Sequence, residues 1–178
     1  MTVWVDADSC PVRVRQIVAK AAGERKTPAV FVANREVPLP RGAYTKAVVV
    51  EKTEGSADAH ICENAAPGDL VITRDIPLAA DLVRKGVTAI NDRGDVFTAE
   101  TVGERLSLRN FMKDLRDAGL YESSSGTFGA REVRLFSNAF DRELTRLKTG
   151  PDIAESILAR GKDGIAPGLP PAGPRSGG

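Results

Sequence analysis

Three aspartates stand where a buried strand gives way to a turn or helix. Asp6 and Asp8 follow the apolar run Val3-Trp4-Val5, and Asp75 follows Leu70-Val71-Ile72-Thr73. A fourth, Asp58, lies just after Ser56 at the start of a helical stretch, and Asn91-Asp92-Arg93 follow the last apolar run. Ligands of open α/β sheets bind beyond the carboxyl ends of the strands, so these positions belong to one edge if the strands are parallel. Carboxylates gathered there repel one another unless a cation neutralises them. An oxygen-rich set without His or Cys suits a hard ion, Mg²⁺ or Mn²⁺. Such an ion can activate water and clamp a phosphoryl oxygen, as in many nucleases and phosphatases.

Helix capping accounts for some of the same residues. Asp8 or Ser9 can cap the helix that Pro11 opens, Asp75 the helix that begins near Ile76, and Asp58 suits the dipole of a first turn. Asp6 is harder to explain that way, because it directly follows a buried strand and another acid comes two residues later. Cys10 near a helix start favours a thiolate. No histidine is close in sequence, however, and His60 is the only one. A small structural cysteine and a packing or surface histidine are the simpler reading.

The elements that position these groups follow from periodicity. Val14, Ile17, Val18 and Ala21 put one face of the first helix in a core, with Pro11 suiting its first turn and Gly23 its stop. Strands are expected at Ala29–Ala33, Ala47–Val50, Leu70–Thr73 and Val87–Ile90. Helices are expected from Ser56, as N-cap, to about Ala66, and from about Ile76 to Gly86. The strands show no polar alternation, which implies burial on both faces, and their alternation with amphipathic helices predicts a doubly wound, mostly parallel sheet. Beyond it, Thr101 to Ala118 reads as a helix with Leu108, Phe111, Met112 and Leu115 on one face. Arg105, Arg109, Lys113 and Arg116 lie on another; they can track phosphates or be a solvated face balanced by Glu104, Asp114 and Asp117. After the loop Ser123–Gly126, a last helix spaces Val133, Phe136, Phe140, Leu144 and Leu147. Residues 1–149 form the expected domain. Residues 150–178 are a Gly/Pro-rich tail, largely disordered with room for a helical turn near Ile153 to Leu158.

The 178 residues are 42% hydrophobic and 28% charged, enough for one sizeable core. A net charge of +1 neither demands nor excludes a polyanionic partner. No apolar run is long enough to span a bilayer, and no signal peptide stands out. Cys10 and Cys62 match no metal spacing and call for no disulfide, so a reduced cytoplasmic setting is expected.

The stretch Val5-Asp6-Ala7-Asp8-Ser9-Cys10-Pro11-Val12 resembles the YaiI/YqxD family of uncharacterised bacterial proteins. The resemblance continues through Ala57-Asp58, Gly68-Asp69-Leu70-Val71-Ile72-Thr73-Arg74-Asp75-Ile76-Pro77-Leu78-Ala79, Arg93-Gly94 and Leu108-Arg109-Asn110-Phe111-Met112, covering about the first 148 residues. That family looks like a relative of the PIN-like nucleases. The resemblance therefore implies a three-layer α/β domain, a mostly parallel central sheet flanked by helices, and additional C-terminal helices. It implies that Asp6, Asp58 and Asp75 hold Mg²⁺ or Mn²⁺, with Asp8 as a fourth acid and Thr73 in support. The sequence departs from the pattern at Ser124-Ser125-Gly126 and Glu132-Val133, where a Gly-Gly-Pro loop and an Asp-Arg pair are expected.

The leading expectation is a divalent-metal-dependent nuclease acting on nucleic acid, RNA first. Asp6, Asp8 and Asp75 would be its catalytic acids, and Ser9, Thr73, Arg74 and Arg93 its substrate contacts. A haloacid-dehalogenase-like phosphatase, with Asp6 as nucleophile and Asp8 as general acid, is the second enzyme reading. It needs a later acid pair at a strand's carboxyl end, whereas Gly68-Asp69 precedes its strand. A non-catalytic metal- or nucleic-acid-binding module is the third.

Overall fold

The computed structural model describes residues 1–120 and 128–162, the side chains of 151–162 excepted. Two compact units divide the chain, Met1–Lys148 and Thr149–Gly178. In the first, five strands form one sheet: β1 (Val3–Asp6), β2 (Ala29–Ala33), β3 (Thr45–Val49), β4 (Leu70–Ile72) and β5 (Thr88–Ile90). Their order is β3-β2-β1-β4-β5, and every pairing is parallel. The helices are α1 (Val12–Glu24), α2 (Ser56–Asn64), α3 (Ile76–Arg84), α4 (Ala99–Asp117) and α5 (Ala130–Lys162). The second unit contributes the part of α5 up to Lys162, including the stretch where a helical turn is expected. The Ser123–Gly126 loop and residues 163–178 lie outside the described residues.

The sheet separates two cores. On one face Val3, Val5, Phe31, Leu70, Ile72 and Ile90 meet Val14 and Val18 of α1 and Phe136, Phe140 and Leu144 of α5. On the other, Val32, Val71 and Ala89 meet Ile61 of α2, Leu78 and Leu82 of α3, and Phe97 and Val102 around the start of α4. Each large aliphatic or aromatic side chain taken fully out of water contributes about 1.5–3 kcal/mol, so this three-layer packing holds the sheet edge rigid. The expected α/β class and parallel sheet are present. The strand order reverses direction between β1 and β4, which opens a crevice at their carboxyl ends.

Several local expectations need correction. Gly23 does not stop α1; the helix runs through it to an Arg25 C-cap, and Lys26 at φ 48° makes the exit. Pro11 is the N-cap rather than the first helical residue, with no side-chain cap, so neither Asp8 nor Ser9 caps α1. Ser56 is the first residue of α2 rather than its cap; Gly55 (φ 77°) caps it, and the Ser56 hydroxyl donates to Glu51 O and Thr53 O. The third strand is an edge strand with Lys46, Ala47 and Val49 exposed, not buried on both faces. In α4 the shared apolar face is largely in solvent, Leu108 and Phe111 being 60% and 58% exposed, because the helix packs through Val102 and Leu106 instead. Of its basic residues, Arg105 ion-pairs with Asp95 at 2.8 Å and lies 5.3 Å from the centre of the Phe97 ring.

After β5 the chain turns back sharply. Asn91 Oδ1 accepts from Arg93 N and Asp95 N, and Gly94 at φ 89° lets the turn press on α5. A Cβ at Gly94 would sit 2.6 Å from the Leu135 carbonyl oxygen. Gly94→Ala is expected to cost about 2–4 kcal/mol, from the left-handed backbone plus displacement of α5. Urea unfolding measures it; a cost below about 0.5 kcal/mol, the surface-substitution range, would show that α5 does not rest on this turn.

Candidate metal-binding acidic cleft

Asp6 is the last residue of β1 and is 4% exposed. The β1–β4 register pairs Val5 with Ile72, so Asp6 and Thr73 emerge side by side. The Thr73 hydroxyl donates to Asp6 Oδ2 at 3.0 Å, and the Ser9 hydroxyl donates to the same oxygen at 2.5 Å. Asp6 Oδ1 has only the long Ser9 N–H contact at 3.4 Å. Thr73 Oγ1 in turn accepts from Asp75 N at 2.9 Å, and Asp75 Oδ1 caps α3 by accepting from Leu78 N at 2.8 Å. A chain of hydrogen bonds thus runs from the α3 N-terminus through Thr73 to Asp6. Asp75 serves as the cap that its position suggests and still faces the cleft.

Asp8 is held differently. Its Oδ2 accepts from Asn34 N, just past the end of β2, at 2.6 Å. Its Oδ1 is buried with no hydrogen-bond partner, and the nearest cationic group is Arg35 Nε at 3.4 Å. Asp58 sits in the first turn of α2. Asp6, Asp8, Asp58 and Asp75, with Ser9, Asn34, Thr53, Gly55 and Ala57, line one open cleft of about 310 Å³. Burial pushes the Asp58 carboxyl up to about 6, helped by the negative charges of Asp6, Asp75 and Asp8. The four acids therefore share one electrostatic field. They do not converge at ligand distance: among the described residues, no group of three or more His, Cys, Asp or Glu side chains is placed to hold a metal ion.

The donor chemistry nonetheless suits a hydrated cation. Mg²⁺ keeps several waters and commonly takes only one or two carboxylates directly, so acids spread around a cleft can bind it partly through water. Asp8 Oδ1 and Asp6 Oδ1 are the oxygens least satisfied by the protein itself. Asp58 and Asp75 line the same cleft and would add their charge.

Other expected residues lie elsewhere. Arg74 pairs with the buried Asp92 at 3.6 Å, and neither lines the cleft. Arg93 does not line it either; the Asp95 carboxyl is lowered mainly by its hydrogen bond from Arg105 and that of Glu132 by backbone amides, with the Arg93 charge a minor contributor to both. Cys10 is buried, with Sγ 3.8 Å from Ile72 O, and burial together with the charges of Asp6 and Asp92 pushes its thiol upward. Such a thiol is a poor nucleophile, and His60 packs edge-on against Trp4. Asp69, in the Gly68-Asp69 motif, is used at the opposite edge, accepting from Thr2 N, Trp4 Nε1 and Ala66 N. Sequence reasoning missed Asn34, Arg35 and Thr53. The first two follow β2 directly, so asking what lies beyond that strand's carboxyl end would have found them.

Asp58 yields a pH signature. Its folded-state value lies above the ordinary 3.8, so the fold gains relative stability below about pH 4 and loses it as pH rises through 6. Asp58→Asn removes that penalty. With allowance for solvent screening of a half-exposed group, it is expected to raise stability by about 1 kcal/mol at pH 7.5, with the gain vanishing toward pH 4. A gain independent of pH, or a loss, in denaturant titrations would contradict the shared field.

Comparison with known proteins agrees over most of the chain. The model of the family described as "Uncharacterized BCR, YaiI/YqxD family" matches residues 4–146. A UPF0178 protein of Treponema denticola is 53% identical over 146 residues, 82% of this chain and 93% of its own. One from Myxococcus xanthus is 51% identical, covering 85% and 99%, and one from Treponema pallidum 46%, covering 91% and 97%. No solved structure matches. The acids of the cleft, the Thr73 strand end and the helix that Asp75 caps all lie inside the matched region, and the chain belongs to the YaiI/YqxD family.

Proposed function

We propose that the cleft binds a divalent cation, Mg²⁺ or Mn²⁺, and that the protein hydrolyses phosphodiester bonds in RNA. The observation that carries this reading is the gathering of Asp6, Asp8, Asp58 and Asp75 around one cleft at the strand ends, where burial and the other acids push the Asp58 carboxyl up. Like charges assembled at this cost are relieved by a cation, and a strand-end crevice is where an α/β sheet places its ligand. The resemblance to PIN-like nucleases assigns the same four residues. When bound, such an ion supplies positive charge for an attacking hydroxide and for the phosphodiester oxygens.

The protein's own groups have separable tasks in this reading. Ser9 and Thr73 fix the Asp6 carboxylate so that it need not reorganise when a ligand arrives. Asp8 offers an oxygen without a hydrogen-bond donor. Burial and the other acids push the Asp58 carboxyl up, a cost that a bound cation would relieve. Nothing favours the dehalogenase-like alternative, because Asp69 is committed to the far edge of the sheet.

Purified protein is expected to cleave single-stranded RNA with Mn²⁺, to stop when EDTA is added, and to fall to background as Asp6→Asn. Equal cleavage by Asp6→Asn would assign the activity to a contaminant. Mn²⁺ and RNA binding without turnover would make the protein a binding module instead.

A further inference from the structure

Arg35 is placed differently from the other cations of this sheet edge. Arg74 has as its counter-ion Asp92, which does not line the cleft, and Arg93 does not line it either. Arg35 has a cleft acid as its counter-ion: Nε stands 3.4 Å from Asp8 Oδ1. That separation is an ion pair at the long limit of a hydrogen bond, and Oδ1 remains without a hydrogen-bond donor. The side chain is 68% exposed against 22% for Asp8, so the guanidinium reaches in from solvent. Its backbone is fixed, because the neighbouring Asn34 N–H is bound to Asp8 Oδ2. No other ion pair of Arg35 occurs among the described residues.

We propose that Arg35, beside the cleft, is its substrate-anchoring residue, parked on Asp8 until a divalent cation takes that carboxylate and then free to bind the substrate's phosphate. This inference rests on the functional reading given above and deepens it. Two cations compete for one carboxylate oxygen, so metal and Arg35 cannot both use Asp8 fully. Arg35 does not itself line the cleft but stands beside Asp8, which does; displaced, the guanidinium stays one side chain away and offers a planar, bidentate face that matches a phosphodiester. The consequence is ordered assembly, with metal first and nucleic acid second, in a cleft whose walls would otherwise repel a polyanion.

The test compares wild type, Arg35→Gln and Arg35→Lys by calorimetry with Mn²⁺ and by binding of a labelled single-stranded RNA across a salt series, with and without Mn²⁺. With its competitor gone, Arg35→Gln is expected to bind Mn²⁺ about two- to fivefold more tightly than wild type. It is expected to bind RNA about five- to tenfold more weakly in Mn²⁺, with the salt slope reduced by about 0.7, the value of one single-strand phosphate contact. In EDTA the RNA affinities of the two proteins should be equal. Arg35→Lys should restore the wild-type Mn²⁺ affinity and only part of the RNA affinity, and KM rather than kcat should carry any change in cleavage. Unchanged Mn²⁺ and RNA affinities in Arg35→Gln would overturn this role while leaving the metal cleft standing. No Mn²⁺ binding by wild type would overturn both.

Discussion

A carboxylate with 4% exposure needs donors, and the protein gives Asp6 hydroxyls rather than a cation. Because β1 and β4 are parallel neighbours in a register that aligns Val5 with Ile72, Thr73 arrives beside Asp6 with its hydroxyl in reach. The same oxygen receives the Asp75 amide, and Asp75 then starts α3. One threonine thereby ties the end of one strand to the beginning of the next helix. Neutral donors satisfy Asp6 without discharging it. The negative charge stays in the cleft, and the behaviour of the neighbouring acids depends on that.

Asp58 registers this charge most directly, since its proton is held by burial and by three other acids at once. Asp8 registers it in another way, with one oxygen bound to a backbone amide and the other met only by an arginine at 3.4 Å. A protein selected for stability alone would have little reason to keep four carboxylates on one cleft. Capping alone does not supply one either: Asp75 caps its helix, but neither Asp8 nor Ser9 caps α1. The arrangement is destabilised where function would need it, as active sites commonly are. The rest of the molecule compensates through two conventional cores.

Much of this was legible in the residues. Unbroken apolar runs gave the parallel sheet, and the strand-end rule put Asp6, Asp8 and Asp75 on one edge. Asp58 was within reach of sequence reasoning because its helix follows the sheet's third strand. What stayed hidden depends on three-dimensional partners. Arg74 and Arg93 have the right sequence positions for substrate contacts, but Arg74 pairs with Asp92 and neither lines the cleft. Local signals also misled where packing decides: Gly23 is tolerated inside α1, and Leu108 and Phe111 have helical spacing but no partner layer among the described residues. Arg35 carries no motif; its place just past β2 was open to sequence reasoning, but its pairing with Asp8 shows only in the structure.

The most direct measurement is a crystal structure of the protein grown with Mn²⁺, with diffraction data collected at the manganese absorption edge. An anomalous peak is expected inside the cleft, about 2.1–2.3 Å from an oxygen of Asp6 or Asp8, with Asp58 and Asp75 reaching it directly or through water. A cleft with no anomalous peak at saturating Mn²⁺, with Asp6, Asp8 and Asp75 still held by their hydroxyls, amides and Arg35, would rule out the metal site.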